Sequence, residues 1–222
     1  MDGTTMTQLR THGGTRGRYA KSEAKREAIL ASALQVFADS GYASGTLRNV
    51  AEHAGISTAN IFHHFADKQA LLRAVLEQRD EWAQTVAFRP GDFGLLLGII
   101  DLADALSHTP ELVRVYVMLV AEATSPAHPA YEHFCSRRNT YRDLLAQLFA
   151  LADERGIYRG KFSHADAASS VIGLLDGVQL QWAVQPDAVD MATIMRTALA
   201  ALVDLDALHT WTQPSEIPPD HN

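Results

Sequence analysis

The stretch TLRNVAEHAGISTANIFHHF, from Thr46 to Phe65, contains two short helical patterns on either side of a glycine. Apolar residues recur at helical spacing before and after Gly55, and Ser57 is suited to cap the second helix. The small side chains of Ala51 and Ala54 allow the two helices to approach closely. Two helices joined by a tight turn form a helix-turn-helix, and the stretch therefore predicts one in the N-terminal third of the chain.

The second helix of this pair presents short side chains on its outer face. Periodicity turns Ile61 and Phe65 inward. The predicted outward residues are Thr58, Ala59, Asn60, His63 and His64. Short side chains at the N-terminal end of such a helix suit a major groove about 12 Å wide. Thr46, Arg48 and Lys68 flank the helix and could contact phosphates or the groove edge, so the pattern predicts a surface for double-stranded DNA.

The two adjacent histidines also allow other roles. Successive side chains on a helix point about 100° apart, so His63 and His64 are badly placed to chelate one metal ion. A catalytic role or an inert surface position stays open, but the surrounding residues favour imidazoles that face DNA. The sequence has no GxSxG, Walker-type loop, HExxH or clustered-cysteine motif, so we expect no enzyme, no metal site and no cofactor.

Helical periodicity dominates the chain, and no run shows the alternation of period two that marks strands. We predict an all-α protein with an N-terminal three-helix DNA-binding domain and a larger C-terminal helical domain for ligand binding and dimerisation. The predicted division is a flexible basic arm over 1–21, the helix-turn-helix domain over 22–66, the second domain over 67–209 and a loose proline-rich tail over 210–222. A Ser22 cap is predicted to start the first helix, and the last helix is predicted to run from Asp187 to Leu208.

Charge is divided unevenly along the 222 residues. The first 79 residues carry 10 Lys and Arg against 7 Asp and Glu, and the remainder carries 9 against 19, for a net charge of −7. A mildly basic N-terminal third on an acidic body is typical of DNA-binding proteins, although a chance fluctuation would look the same. No apolar run reaches the roughly 20 residues that span a bilayer, the N-terminal residues lack the apolar core of a signal peptide, and Cys135 is the single cysteine. We therefore expect a cytoplasmic protein with no membrane partner.

The segment FADSGYASGTLRNVAEHAGISTANIFHHFADKQALL, from Phe37 to Leu72, resembles the tetracycline-repressor (TetR) family of transcriptional regulators. The likeness rests on the Gly-Tyr junction, the threonine that opens the second helix, the Ala-Gly-Ile-Ser turn, and the aromatic-rich helix followed by a lysine. The preceding RGRYAKSEAKREAILASALQVF and the later GLLDGVQLQW, from Gly173 to Trp182, also resemble blocks of the family.

This resemblance implies a role for each outward residue. The residues that would contact base edges are Thr58, Ala59, Asn60 and His63. Arg48 would reach the edge of the groove. The phosphate contacts would come from Thr46, His64 and Lys68. Phe62 stands where the family usually has tyrosine, so a hydroxyl bond to phosphate is lost and the ring is expected only to support the surface. The implied function is a repressor that a small-molecule effector releases from a near-palindromic operator. An activator, or a regulator controlled by a protein partner, is the alternative.

The last two long helices are the predicted homodimer interface. The first of them is rich in small residues: Ala165, Ala167, Ala168, Ser169, Ser170, Gly173, Gly177 and Ala183. The second offers Met191, Met195, Ala198, Leu199 and Leu202. Small residues let helices pack closely, and the resemblance implies a four-helix interface with a second copy; an intramolecular helix pair is the alternative. At the N-terminal end, Arg16 and Arg18 either enter a minor groove or belong to an ordinary chain end.

An effector site is predicted between the fourth helix and the dimer helices. Its candidate lining residues are Trp82, Tyr116, Met118, Glu122, Phe134, Arg138, Tyr141 and Gln179, each of which could equally be part of the core. Arg138 lies on an apolar stripe, so it must be paired, reach solvent or face a ligand. Glu122 is a possible partner, and an anionic ligand is the sharper alternative. Cys135 is interpreted as a buried thiol rather than a redox sensor.

Overall fold

The computed structural model describes residues 14–212, with side chains described for 19–208. Its ten α-helices are α1 (Gly14–Ser44), α2 (Leu47–His53), α3 (Thr58–Phe62), α4 (Lys68–Ala87), α5 (Gly94–Ser107), α6 (Pro110–Glu122), α7 (Tyr131–Glu154), α8 (His164–Val184), α9 (Met191–Leu202) and α10 (Leu205–Thr212). Over this span no strand forms, and extended pairing is limited to an isolated bridge between Tyr158 and Val203. The all-α prediction is confirmed.

The first helix is longer than predicted. It begins at Gly14 rather than after a cap at Ser22, so residues 14–21 of the predicted flexible arm are helical. It continues past Ser40 to Ser44 through a kink at Gly41, whose φ of 73° and ψ of 170° are not helical. Residues 1–13 and the side chains of Arg16 and Arg18 lie outside the described part of the chain. The predicted groove contact of those arginines therefore stays a prediction.

The helix-turn-helix forms where the sequence predicts it, because each short helix has a side-chain cap. Thr46 Oγ1 accepts from Asn49 N at the start of α2, Ser57 Oγ accepts from Asn60 N at 3.3 Å at the start of α3, and Asp67 Oδ1 accepts from Ala70 N at 2.7 Å at the start of α4. Such caps satisfy backbone donors that the first turn of a helix leaves unpaired. They set the positions at which α2, α3 and α4 begin.

Two apolar cores lie along the chain, and α4 contributes to both. The first core joins α1–α3 and the first half of α4 through residues such as Phe37, Val50 and Ile61. Side chains from α6 and α7 close this core, among them Leu119 and Phe134. The second core joins the rest of α4 to α5–α10, with Val113 as the buried contribution of α6. The boundary predicted at residue 67 lies in the short loop of residues 63–67, whereas the two cores are joined by the continuous helix α4.

The last predicted helix is two helices. The run from Asp187 to Leu208 breaks at Val203, where the chain becomes extended and Asp204 N donates to Ile157 O at 2.9 Å. A short 3₁₀ turn at Pro186–Ala188 precedes α9. The final helix α10 ends at Thr212, so the first three residues of the predicted loose tail are helical, and residues 213–222 lie outside the described part.

The kink in α1 is where the end of α6 meets the helix-turn-helix region. Tyr42 N donates to Glu122 Oε2 at 2.9 Å, and the His128 ring packs edge-on against Tyr42 at 5.2 Å. A Cβ atom at Gly41 would collide with the Glu122 carboxylate. The φ/ψ combination of Gly41 is also nearly restricted to glycine. Glycine is therefore required here both by the backbone conformation and by the space that Glu122 occupies.

We expect Gly41→Ala to lower the free energy of unfolding by about 1–3 kcal/mol for the strained backbone, plus the cost of displacing the Glu122 carboxylate. Gly156→Ala is the matched control, because Gly156 also has a positive φ of 70° but has no atom within 4 Å of the added methyl. The control should lose only about 1 kcal/mol. Denaturant titration of both variants measures the difference, and equal losses would contradict a steric role for Glu122.

Candidate nucleic-acid interface and effector cavity

The outer face of α3 is accessible. Ala59, Asn60 and His63 are exposed, while Thr58 and His64 are half-buried. Ile61 and Phe65 are 0% and 4% exposed and hold the helix to the first core. The predicted outward residues therefore share one open face, and none is covered by another helix among the described residues. This geometry allows short side chains of α3 to meet a surface brought up from outside.

The flanking residues already make intramolecular contacts. Thr46 caps α2 through its hydroxyl, and the exposed Arg48 pairs with Glu52 one turn later at 2.8 Å. Lys68 Nζ donates to Tyr42 O and lies 4.1 Å from the centre of the Tyr42 ring. Burial lowers the pKa of the Lys68 amine, against an opposing effect of the Glu122 charge. Lys68 therefore ties α4 to the α1 kink.

Two features of this surface did not follow from the sequence pattern. Phe62 is 54% exposed, so its ring lies on the outer face instead of packing beneath it. Lys21 and Lys25 of α1 face His63 and His64 across a cleft of about 300 Å³. Lys25 was missed because the spacing within α1 alone says nothing about which neighbouring helix it faces. Both lysines add positive charge beside α3.

A small cavity lies among α4–α8. Its volume is about 70 Å³, and its lining is Ala83, Ala87, Leu95, Ile99, Leu102, Tyr116, Arg137, Arg138, Tyr141, Leu145, Val171, Ile172, Leu175 and Asp176. Three of the eight predicted lining residues meet here: Tyr116, Arg138 and Tyr141. Pockets for drug-sized ligands measure about 300–1,000 Å³, so this cavity is too small for such a ligand as it stands.

The other five candidates lie elsewhere. Phe134 is buried in the first core, Met118 is 38% exposed, and Glu122 binds the α1 kink. Trp82 packs half-buried against the second core. Gln179 is buried and does not line the cavity; its Oε1 accepts a hydrogen bond from Arg79 Nη2 at 3.3 Å.

The partner of Arg138 is Asp176, not Glu122. Arg138 Nη1 lies 2.6 Å from Asp176 Oδ2, and Tyr116 donates its hydroxyl to Asp176 Oδ1 at 2.6 Å. Burial, followed by the Asp176 charge, raises the pKa of Tyr116 to about 12. Glu122 lies at the C-terminal end of α6, where it binds the α1 kink instead. Asp176 therefore joins α6, α7 and α8 at the cavity.

Arg79, Asp80 and Arg137 form a second charged group beside the first. Arg137 Nε lies 2.8 Å from Asp80 Oδ1, and His133 Nε2 lies 3.1 Å from Asp80 Oδ2. Arg79 is 5% exposed and stacks 4.0 Å from the centre of the Tyr116 ring. Arg79 interrupts the apolar face of α4, and this charged residue at a buried helical position could have been recognised from the sequence.

The predicted dimer helices differ in what they expose. On α9, Met191, Met195, Leu199 and Leu202 are buried in the second core of their own chain. On α8, Ala167 and Ala168 are buried too, whereas Ala165, Ser169, Ser170 and Gly173 are exposed. Leu180 and Val184 of α8 are 52% and 73% exposed. The apolar stripe of α9 therefore stabilises the protomer. The large exposed apolar side chains lie on α8, and α9 exposes only small ones such as Ala200 and Ala201.

Other sequence-based candidates carry no evident chemistry. Cys135 is half-buried on α7. Among residues 14–212, no group of three or more His, Cys, Asp or Glu side chains is arranged to hold a metal ion. Within the described helices, none combines the length and apolar character needed to cross a bilayer.

Known proteins resemble this chain in both regions. Residues 29–75 match the family model for bacterial regulatory proteins of the tetR family, and residues 95–206 match that for the C-terminal part of BetI-type transcriptional repressors. The transcriptional regulator RutR of Escherichia coli is 30% identical over 196 residues, covering 81% of this chain and 85% of RutR. The transcriptional repressor BepR of Brucella suis is 27% identical over 176 residues, covering 74% and 84%.

A solved structure shares the fold. SmeT, the repressor of a Stenotrophomonas maltophilia multidrug efflux pump, was solved in complex with triclosan and superposes with a TM-score of 0.67 at 22% identity. The match covers 81% of this chain and 92% of that one. The family models together span both the helix-turn-helix and most of the C-terminal helices. The chain therefore belongs to the tetR family of bacterial regulatory proteins, and it is a DNA-binding transcriptional regulator.

Proposed function

We propose that this regulator binds a near-palindromic operator as a homodimer and that a small-molecule effector releases it. The observation that carries the proposal is the open outer face of α3, held in place by the Ser57 cap and by buried Ile61 and Phe65. A rigid short helix with exposed polar residues near its N-terminal end is the geometry that reads base edges in a major groove.

The proposed DNA contacts divide into base reading and phosphate binding. Base edges are assigned to Thr58, Ala59, Asn60 and His63, with Arg48 at the groove edge; phosphates are assigned to Thr46, His64 and Lys68. An ammonium group has three N–H donors, so the bond from Lys68 to Tyr42 leaves donors for a phosphate. Lys21 and Lys25 extend the positive surface on the other side of α3. Phosphate contacts of this kind supply affinity without sequence preference.

Dimerisation is proposed through the outer face of α8. One recognition helix contacts too few base pairs for a specific site, and a two-fold dimer doubles the contact. Leu180 and Val184 expose apolar surface, and the space beside Gly173 and Gly177 is open, so a second copy could approach the α8 backbone closely. The buried apolar residues of α9 pack against the second core of their own protomer. Only the outer residues of α9 could therefore contact the second copy.

Effector release is proposed to act through α6. Tyr116 lines the cavity on one side of this helix, and Glu122 at its end holds the Tyr42 amide at the α1 kink. A ligand that widens the cavity would move α6 and thereby the helix-turn-helix of each protomer. Such a change in spacing needs only the coupling of about 1–3 kcal/mol that is typical of allosteric proteins. The complex of SmeT with triclosan supports a small molecule as the effector.

Asn60→Ala should weaken binding to the operator by about 1–3 kcal/mol at particular base pairs, because an amide that pairs with a base edge is lost. The operator is first selected from random DNA at a fixed salt concentration, and affinities are then measured for every single-base variant of it. Asn139→Ala, which makes the same change on the exposed surface of α7, is the control and should bind like the parent chain. Uniform weakening across all DNA sequences by Asn60→Ala would contradict base reading.

Leu180→Glu should convert the dimer to a monomer, since a charge would be buried in an apolar interface. Sedimentation at micromolar concentration measures the mass, and operator affinity should fall with dimer content. Leu144→Glu introduces the same charge at an exposed leucine of α7 and should leave the dimer intact. A dimer that persists in Leu180→Glu would place the interface on another face.

A further inference from the structure

The charged groups around the cavity do not balance. Three guanidinium groups, from Arg79, Arg137 and Arg138, meet two carboxylates, from Asp80 and Asp176. Each carboxylate already lies within 2.8 Å of an arginine. The cluster of arginines and carboxylates therefore carries one positive charge in excess.

Burial makes this excess charge expensive to hold. Burial, and then the charge of Arg137, lower the pKa of Arg79 to about 10, which still leaves Arg79 charged at neutral pH. Arg79 donates hydrogen bonds to the neutral Gln179 Oε1 at 3.3 Å and Leu112 O at 3.5 Å, and its ion-pair contact with Asp80 Oδ1 is long, at 3.8 Å. Arg137 Nε lies closer to the same oxygen, at 2.8 Å, so Asp80 is shared between two arginines. A buried charge that is only partly balanced is unfavourable. An anion that entered the cavity would supply the missing negative charge.

Donors for such an anion are present on α7. Arg137 Nε is buried and, despite its distance of 2.8 Å from Asp80, makes no hydrogen bond among the described residues. Arg138 contacts Asp176 through Nη1 and is 36% exposed at its side chain. A guanidinium has five N–H donors in a planar fork that fits a carboxylate. The two adjacent arginines can therefore offer hydrogen bonds beyond their present ion pairs.

The remainder of the cavity is apolar. Its wall opposite the arginines comprises Leu95, Ile99, Leu102, Leu145, Val171, Ile172 and Leu175. A second cleft of about 140 Å³ shares Arg138 and Ile172 with the cavity and adds Arg142, so the approach from the surface is positively charged as well. One end of the site thus suits an anionic group, and the other suits a hydrocarbon body.

We propose that the effector is an amphipathic carboxylate, with its anionic group on Arg137 and Arg138 and its apolar body between α5, α7 and α8. This inference rests on the proposed effector control and names the ligand class of that cavity. The carboxylate competes with Asp176 for Arg138. Because Asp176 also accepts from Tyr116, this competition loosens the link between α8 and α6. The movement of α6 then reaches the α1 kink through Glu122.

The experiment titrates the full chain with octanoate and decanoate, and with octanol and decanol as uncharged counterparts of equal length. Calorimetry should show saturable binding of the carboxylates, with the alcohols at least about tenfold weaker because they lack charge-assisted hydrogen bonds. Arg138→Gln should weaken carboxylate binding at least about tenfold and leave alcohol binding unchanged. Arg114→Gln, an exposed arginine of α6, is the control and should bind like the parent chain.

Asp176→Asn gives the sharpest test, because the sign of its effect separates the two readings of this cluster. The substitution keeps an oxygen for Tyr116 and raises the excess charge by one, so carboxylates should bind more tightly. A purely structural role for Asp176 would instead weaken or abolish binding. Thermal unfolding of each variant establishes that it is folded before binding is measured.

The outcomes test separately whether the cavity binds an amphipathic carboxylate and whether that binding releases operator DNA. The inference is overturned if alcohols and carboxylates bind equally well or if no carboxylate binds. It is also overturned if decyltrimethylammonium, the cationic counterpart of decanoate, binds more tightly than decanoate. Carboxylate binding that depends on Arg138 but does not release operator DNA supports the anion site and overturns effector control. Carboxylate binding with operator release supports both.

Discussion

The hydrogen bond from Tyr42 N to Glu122 joins the two halves of this molecule, and much of the rest depends on it. The bond forms because Gly41 adopts a backbone conformation that other residues avoid and leaves room for the carboxylate. Lys68 then closes the junction by donating to Tyr42 O from the start of α4. The positions of α1, α4 and α6 are thus set at one place. Direct contacts therefore link all three helices at this junction.

Helix α6 is central because it contributes to both cores and to the cavity between them. Leu119 packs in the first core, Tyr116 lines the cavity, and Glu122 reaches α1. A regulator needs an element whose position is biased by both ligand and DNA. In the proposed mechanism this element is α6, a short helix whose Val113, Val115, Tyr116 and Leu119 are buried.

The charged cluster at the cavity lowers the stability of the fold, and in the proposed mechanism the same cluster binds the effector. Holding Arg79 charged within the protein is unfavourable, and a fully apolar packing of the same volume would often be as stable. Arg79 donates its hydrogen bonds to neutral groups and shares Asp80 with Arg137, so its charge is only partly balanced. An effector that brings a negative charge would bind best where the protein lacks one. In the proposed mechanism the negative charge that balances Arg79 comes from the ligand and not from another residue of the protein.

The sequence by itself determined the all-α class, the helix-turn-helix and the outward residues of α3, because caps and helical periodicity act over a few neighbouring residues. Ser57, Asn60 and Ile61 could be assigned without knowing what else they touch. Tertiary structure decided which distant residues meet. Arg138 pairs with Asp176 from 38 residues away rather than with Glu122, and the apolar stripe of α9 packs inside its own chain. A helical stripe shows that a face is buried, but it does not show against what, and the partners follow only from the angles at which the helices cross.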